Sequence, residues 1–382
     1  MADGTARAFD WGLLEPAGGA ASAVSDDAVL EGMVAFERAL VAAWSELNGS
    51  GAAVAESLRA DALDRHALAD GARAGGVPVI ALVDQLRAAA GLDAGLVHRG
   101  ATSQDVVDTA LMLVSREALS GARTDLTRAG RELAALAETH RARPVVARTL
   151  TQEAEATTFG AVVASWLDGI TATLVQLDAV RFPVQLGGAV GVGRAFAEDA
   201  GRGDAPERLR ACLAAHLGLG DPGRSWHTER SAVLAVAHAA AQVAAIGGRI
   251  GRDLALLARD GSAVPRHGGG SSSMPHKHNP VDAVLLTANG LRAGGLVATL
   301  QTAALSYDAR PAGEWHAEWQ AWRSVLRLAL ESASLLAHAA GDVEVSAGTV
   351  DASPSLLAAA DRVVASSVAR FEAAAAERST RS

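Results

Sequence analysis

Residues 270–280 read Gly-Ser-Ser-Ser-Met-Pro-His-Lys-His-Asn-Pro, and the interpretation of the chain starts from this stretch. It contains Lys277, the only lysine among 34 basic residues, and Asn279, one of three asparagines. Lysine is a compact point charge and arginine a wide planar fork, so a chain that otherwise uses arginine has a chemical reason to keep lysine here. Consecutive N–H groups in the serine run can surround an anion. The stretch therefore predicts an anion-binding loop that carries the chemistry.

The composition is that of a globular protein, with 49% of the 382 residues hydrophobic and 20% charged. The formal net charge of −9 argues against a nucleic-acid partner, which would need a basic face. A single cysteine, Cys212, excludes an intramolecular disulfide and a multi-cysteine metal site. Inspection of the sequence finds no apolar run of about 18 residues and no secretory pattern, so we expect a cytoplasmic protein without a membrane partner.

Long proline-free stretches dominate the chain and predict long helices. They are rich in residues that mostly favour helix, and they cover 79–143, 145–182, 223–264, 281–310 and 312–353. One of them carries a helix-packing seam with alternating steps of three and four, formed by Leu119, Ala122, Leu126, Ala129, Leu133 and Leu136. Because period-two alternation is scarce, we expect an all-α protein built as a bundle of long helices.

The helix start and stop signals divide the chain into three regions. Residues 1–103 are expected to form an N-terminal helical domain, whose first helix begins after Ser25 and stops at Gly49. Residues 104–345 are expected to form the central bundle. Residues 346–382 would be a short C-terminal remnant with a polar, frayed end.

Two further segments place polar side chains at predicted helix starts. Residues 98–105 read His-Arg-Gly-Ala-Thr-Ser-Gln-Asp. Free N–H groups at a helix start suit a carboxylate, although an ordinary helix cap would use the same residues. Residues 148–160 read Arg-Thr-Leu-Thr-Gln-Glu-Ala-Glu-Ala-Thr-Thr-Phe-Gly. On a helix, Thr149 and Gln152 would share a face and could orient a carboxylate without adding charge.

The three segments, in this order, resemble signatures of the fumarase/aspartase/argininosuccinate-lyase superfamily. The loop is similar to Gly-Ser-Ser-x-Met-Pro-x-Lys-x-Asn-Pro, the segment 98–105 to Gly-x-Thr-Ser-x-Asp, and the segment 148–160 to Thr-x-x-Gln-x-Ala. The resemblance covers about residues 20–345. It implies a homotetramer with a core of long helices, in which each active site is built from three subunits.

Within the superfamily the chain is most similar to the branch of bacterial 3-carboxy-cis,cis-muconate cycloisomerases. The stretches that carry this resemblance are HRGATSQDVVD at 98–108, QLGGAVG at 185–191, WHTER at 226–230 and WHAEW at 315–319. Leu150 stands where fumarases and adenylosuccinate lyases place a histidine, and Val284 where they place a glutamate. The resemblance implies intramolecular addition of a carboxylate to a C=C bond, giving a lactone in the breakdown of protocatechuate.

The resemblance also implies roles for individual residues. Ser272 would transfer the proton, and His98 would assist it or position a carboxylate. A set of mostly polar residues would bind the small polycarboxylate substrate: Thr102, Ser103, Gln104, Thr149, Gln152, Ser271, Met274, Lys277, Asn279, Arg310 and His316. No organic cofactor is needed, and a His-x-His pair without a nearby acid is thin support for a metal, so none is expected.

Three other readings remain open from the sequence. A lyase of a succinate adduct, such as nitrosuccinate or adenylosuccinate, would release fumarate by β-elimination, and Leu150 counts against adenylosuccinate. Ser306–Arg310 departs from the Gln-Glu-His-Glu-Arg of cycloisomerases, which keeps a different substrate open. A non-catalytic paralogue, or a helical scaffold that binds partners through a charged face, would not need an intact loop.

We predict that Ser272→Ala lowers turnover by on the order of 10²–10⁴, the usual contribution of a positioned acid or base. Substrate affinity should change little, because Lys277 and the loop N–H groups still hold the carboxylates. Ser271→Ala and Ser273→Ala are the matched controls and should be milder. Steady-state kinetics of the three variants checks this, and a Ser272→Ala enzyme within about tenfold of wild type would rule out the assignment.

Overall fold

The computed structural model describes residue 14, residues 22–49, 52–270, 274, 277–346 and 350–376. Within these residues the chain forms twelve α-helices, short 3-10 helices and two two-stranded antiparallel sheets. The helices are α1 (Asp26–Asn48), α2 (Ala52–Ser57), α3 (Arg65–Gly75), α4 (Val79–Ala90), α5 (Ser103–Thr139), α6 (Phe159–Ala179), α7 (Arg194–Ala200), α8 (Ala205–Leu217), α9 (Ser231–Asp260), α10 (Val281–Ala303), α11 (Glu314–Gly341) and α12 (Pro354–Ala376). The strands are β1 (Pro144–Thr149), β2 (Gln152–Thr158), β3 (Ala263–Pro265) and β4 (Val343–Val345).

The predicted all-α bundle is confirmed, and the central helices are long. The helix α5 has 37 residues, α9 has 30 and α11 has 28. All members of the predicted seam on α5 except Leu136 are buried. The first helix begins and ends where its sequence predicts, since Ser25 Oγ accepts from Ala28 N–H and Gly49 caps the end with φ +77°.

The helices α5, α9 and α11 run in the same direction. Near their starts, Arg230 contacts Asp108 of α5 and Glu318 of α11. Beyond their ends, the Arg148 guanidinium lies 2.9 Å from Asp260, and Asp342 follows α11 directly. We call the first region the starting end and the second the finishing end. At about 1.5 Å per residue, α9 separates the two ends by about 45 Å.

The prediction of a helix for the second polar segment, residues 148–160, is wrong. Residues 144–158 form the β1–β2 hairpin, in which Thr149 pairs with Gln152 across the turn at Leu150 and Thr151. Both turn residues have positive φ, 49° and 70°, as a two-residue hairpin turn of the mirror-image type requires. Because residues directly opposite each other point to the same side of a sheet, Thr149 and Gln152 still share a face, though not a helical one.

Three helices contradict the expectation that no membrane-length apolar run exists. By length and composition alone, α6, α9 and α10 are apolar enough to cross a membrane. In α6 and α9, 50% and 56% of the apolar window is buried inside the chain, whereas in α10 only 28% is buried. Val284 and Leu291 of α10 are 55% and 69% exposed. The single chain therefore leaves an apolar helix face uncovered.

The helices α9 and α10 approach closely because glycines face each other. A Cβ added at Gly251 would lie 2.7 Å from Ala283 O and from Leu286 Cβ, and one at Gly248 would lie 3.0 Å from Gly290 Cα. The distance of 2.7 Å is shorter than real Cβ contacts, and 3.0 Å is tighter than nearly all of them, so a side chain at either glycine would strain the contact between the two helices.

We predict that Gly251→Ala destabilises the protein by about 1–3 kcal/mol through overpacking, despite the higher helix propensity of alanine. Gly95→Ala is the control, because Gly95 is exposed and an added Cβ meets nothing within 4 Å. Denaturant titration of both variants checks this. Equal midpoints for the two variants would mean that the α9–α10 contact is not constrained by its glycines.

Candidate active site

The start of α5 brings together four of the predicted substrate-binding residues. Thr102 is the N-cap, and its N–H donates to Asp105 Oδ2 at 3.0 Å. Arg310, from the segment between α10 and α11, donates from Nη2 to Thr102 Oγ1 at 3.0 Å and from Nε to Gln104 Oε1 at 3.3 Å. Ser103, the first residue of α5, is half-buried beside them. A guanidinium at the positive end of a long helix is suited to hold a carboxylate.

His98 lies just before this helix start in a fixed orientation. Its Nδ1 lies 2.7 Å from Glu37 Oε1, and its N–H donates to Glu37 Oε2 at 2.9 Å. Glu37 is fully buried on α1, and its two contacts hold His98 at a φ of +60°. The ring can therefore offer Nε2 for hydrogen bonding or proton transfer.

A buried carboxylate supports the helix start from below. Asp105 is fully buried and accepts hydrogen bonds from the N–H groups of Gly187 and Gly188, both at 2.9 Å. Gln185 Nε2 donates to it at 3.2 Å, and His227 Nε2 lies 2.8 Å away. These contacts tie the loop after residue 184 and the segment before α9 to the first turn of α5.

A second buried network lies one turn further along. Arg230 Nη1 lies 2.6 Å from Asp108 Oδ2, its Nε lies 2.9 Å from Glu318 Oε1, and Trp315 Nε1 donates to Asp108 at 2.9 Å. Burial opposes the charge of Arg230, but Asp108 and Glu318 outweigh it and raise the pKa of the guanidinium. Burial also raises the pKa of Glu318, against the lowering effect of Arg230. Arg230 therefore stays charged and holds three helices together.

His316, the other predicted residue of this end, is exposed on the first turn of α11. Its ring centroid lies 4.7 Å from Trp319 and 5.3 Å from Trp315. Trp315 and Trp322 are buried and Trp319 is half-buried, as the spacing of the three predicts for a packing face. His316 thus lies on the rim of the buried network.

The predicted loop residues lie at the finishing end. Asn279 and Gly269 form an antiparallel bridge, with N–O distances of 2.8 and 2.9 Å, and Asn279 Nδ2 donates to Gly270 O at 3.3 Å. Lys277 and Met274 are exposed, and Lys277 N–H donates to Met274 O at 3.0 Å. Ser271 and Ser272 lie outside the described residues. Thr149 and Gln152 are exposed on the hairpin at the same end.

Within one chain the predicted residues form two groups rather than one site. Arg310, Thr102 and His98 are at the starting end, whereas Lys277 and Asn279 are at the finishing end, about 45 Å away along α9. A small substrate cannot contact both groups of the same chain.

Comparisons with known proteins identify the class. The family model described as lyase matches residues 78–295, and the chain belongs to this lyase family of the fumarase/aspartase superfamily. A nitrosuccinate lyase of Streptomyces davaonensis is 40% identical and covers 85% of this chain and 73% of the relative. A 3-carboxy-cis,cis-muconate cycloisomerase of Pseudomonas aeruginosa is 38% identical, with 78% and 67% covered. The crystal structure of 3-carboxy-cis,cis-muconate lactonizing enzyme from Pseudomonas putida has a TM-score of 0.78 at 32% identity, over 84% of this chain and 74% of that chain.

The comparisons confirm the superfamily, the fold and the enzyme class predicted from sequence. The sequence reasoning missed the supporting residues, namely Glu37, Asp108, Gln185, Arg230 and Glu318. Asp108, Gln185, Arg230 and Glu318 stand inside stretches that carried the resemblance, and a charged or amide side chain among largely apolar neighbours is the signal that could have found them. Glu37 has no such signal, because its partner is 61 residues away.

At the finishing end, two His–Asp pairs connect the segments on either side of the loop at 270–280 to the end of α11. His267 Nδ1 lies 2.6 Å from Asp342 Oδ1, and His338 Nδ1 lies 2.5 Å from Asp282 Oδ2. His338 lies in the last turn of α11 and Asp342 directly follows that helix, while Asp282 lies in the first turn of α10. The hydrogen bond and charge of Asp282 raise the pKa of His338.

We predict that the His338–Asp282 pair stabilises the protein at low pH and is lost as pH rises. Because the folded-state pKa of His338 is raised, its contribution is complete below the unfolded pKa and disappears as pH rises through the folded value. Thermal unfolding of wild type and His338→Gln between about pH 6 and pH 9 should show two curves that converge at high pH. His66→Gln, a change at an exposed histidine of α3, is the control. A constant difference between wild type and His338→Gln would contradict the assignment.

Proposed function

We propose that this chain is a 3-carboxy-cis,cis-muconate cycloisomerase-like enzyme that adds a substrate carboxylate to a C=C bond to give a carboxymuconolactone. The observation that carries the proposal is the Arg310 guanidinium held by Thr102 and Gln104 at the start of α5, a carboxylate anchor. The similarity to cycloisomerases of several bacteria supports the same chemistry.

The reaction develops charge that this site is suited to stabilise. As a carboxylate oxygen attacks the double bond, the adjacent carbon becomes carbanionic and its carboxylate takes up the charge as a dianionic enolate-like group. Preorganised donors stabilise such charge; here they are Arg310, Thr102 and the N–H groups of α5, together with Lys277 and Asn279 of the loop. Ser272 then delivers the proton to that carbon, with His98 positioning the carboxylate.

The enzyme acts as a homotetramer with shared active sites, since the two groups of site residues lie at opposite ends of each chain. Antiparallel association of long helices would bring the starting end of one subunit to the finishing end of another. The exposed apolar face of α10 supports this association, because contact with another subunit would bury it. The assembly is soluble and cytoplasmic, and no cofactor takes part.

A second candidate is the β-elimination of nitrite from nitrosuccinate, which releases fumarate. The specific observation in its favour is the 40% identity to the nitrosuccinate lyase over 85% of this chain. The same anchors would serve, because elimination also passes through charge at a carbon next to a carboxylate. A non-catalytic paralogue is disfavoured, because Lys277 and Asn279 stand unaltered in the loop.

An ultraviolet assay decides between the candidates. We expect purified enzyme to remove the diene absorbance of 3-carboxymuconate and to form a lactone. Nitrosuccinate is tested in parallel by nitrite release, and adenylosuccinate is the negative control. Nitrite release without lactone formation would replace the proposal by the second candidate, and no activity with either substrate would overturn both.

Mixing inactive variants tests the shared site. After subunit exchange, Ser272→Ala combined with His98→Asn should recover up to about a quarter of wild-type activity, because random mixing builds some sites with both native residues. Ser272→Ala combined with Lys277→Ala is the control and should recover nothing, since both changes fall in one loop. No recovery in the first mixture, with exchange verified by mass spectrometry, would rule out shared sites.

A further inference from the structure

A histidine that the proposed mechanism does not use lies beneath the carboxylate anchor. His227 precedes α9, and 5% of its surface is exposed. Its Nε2 lies 2.8 Å from Asp105 Oδ1, and its main-chain oxygen accepts from Gln104 Nε2 at 2.7 Å. Gln104 binds Arg310, and Asp105 binds the N–H of Thr102. His227 therefore contacts both residues that set the position of the anchor.

The other ring nitrogen of His227 is buried without a partner. Nδ1 has no hydrogen bond to any described residue, and a Cβ added at Gly191 would lie 3.6 Å from it. A buried polar atom without a partner carries a free-energy cost. If the only role of His227 were to donate a hydrogen bond to Asp105, a glutamine amide would serve as well and would not bury an unpartnered ring nitrogen. What an imidazole offers in addition is a second proton and a positive charge.

Negative charge is in excess around His227. Asp105 and Asp108 on α5 and Glu318 on α11 are fully buried carboxyl groups, and the buried guanidinium among them is Arg230. Burial raises the pKa of Glu318, and the neighbouring Asp108 raises it further. Asp105 lies in the first turn of α5, and the hydrogen bonds that it accepts from main-chain N–H groups and from Gln185 do not cancel the formal charge of a carboxylate. A negative charge at this position weakens the positive potential that attracts a substrate anion.

We propose that His227 is a positioning residue: on substrate binding it takes up a proton from solvent, and the imidazolium neutralises Asp105 beneath the carboxylate anchor. His227 does not touch the substrate. It acts through Asp105 and Gln104, so that the start of α5 and Arg310 present an undiminished positive potential to a polycarboxylate. The inference rests on the proposed function of this end of α5 and deepens it.

Calorimetric titration of the assembled enzyme with tricarballylate, a saturated tricarboxylate, tests the proposal. In buffers of different ionisation enthalpy, wild type should take up about one proton per bound ligand. His227→Gln keeps a donor towards Asp105 but cannot become charged. It should lose the proton uptake and bind tricarballylate about tenfold more weakly, with KM raised in parallel and kcat within about threefold of wild type.

Two further variants separate this role from a structural one. His216→Gln is the matched control, because His216 also pairs with a carboxylate, Glu46 at 2.7 Å, but lies on the surface of α8; its affinity should equal that of wild type. In an Asp105→Asn background the charge to be neutralised is absent, so adding His227→Gln should change the affinity by less than about threefold.

The outcomes that overturn the proposal are distinct from those that overturn the proposed function. Unchanged affinity and proton uptake in His227→Gln would show that a hydrogen bond alone suffices. If His227→Gln fails to assemble, absence of proton uptake by wild type would overturn the proposal by itself. Inactivity towards both assay substrates would overturn the proposed function, while the calorimetric comparison would still decide the role of His227.

Discussion

The buried guanidinium of Arg230 is the contact on which the starting end of the bundle depends. It lies between Asp108 of α5 and Glu318 of α11 and directly precedes α9, so one charged group joins three helices near their starts. A buried charge is tolerated only when it is paired and hydrogen-bonded, and removal of one partner leaves an uncompensated charge in the interior. The starts of the three helices therefore have to meet at this point, and the neighbouring first turn of α5, with Thr102 and Gln104, is positioned by the same constraint.

The length of the helices then determines how the site can be built. Because α9 runs unbroken for 30 residues, the carboxylate anchor and the lysine-bearing loop are held about 45 Å apart in each chain. A rigid helix cannot bring its two ends together. Each chain therefore carries two separate groups of predicted site residues, and in the proposed assembly the apolar, weakly buried α10 would provide a surface through which copies associate.

The chemistry follows from the kind of groups at each end. The starting end offers a fork-shaped guanidinium and the N–H groups of a helix start, which suit a carboxylate already present in the substrate. The loop offers a compact ammonium and an amide, which suit charge that develops during the reaction. Both proposed reactions fit this division, because each passes through charge at a carbon next to a carboxylate.

The sequence by itself determined the superfamily through the resemblance of three motifs, and the all-α class and the caps of α1 through local periodicity and capping residues. It also indicated that 98–105 starts a long helix with an anion site. It missed the hairpin at 144–158, since Leu150 and Thr151 adopt positive φ without the glycine or asparagine that usually marks such a turn. Only the tertiary structure decided that Arg310 meets Thr102 and Gln104, that Glu37 orients His98 and that His227 supports Asp105. These contacts join residues 61 to 208 positions apart, and a contact of that range depends on how the helices pack, which no local pattern encodes.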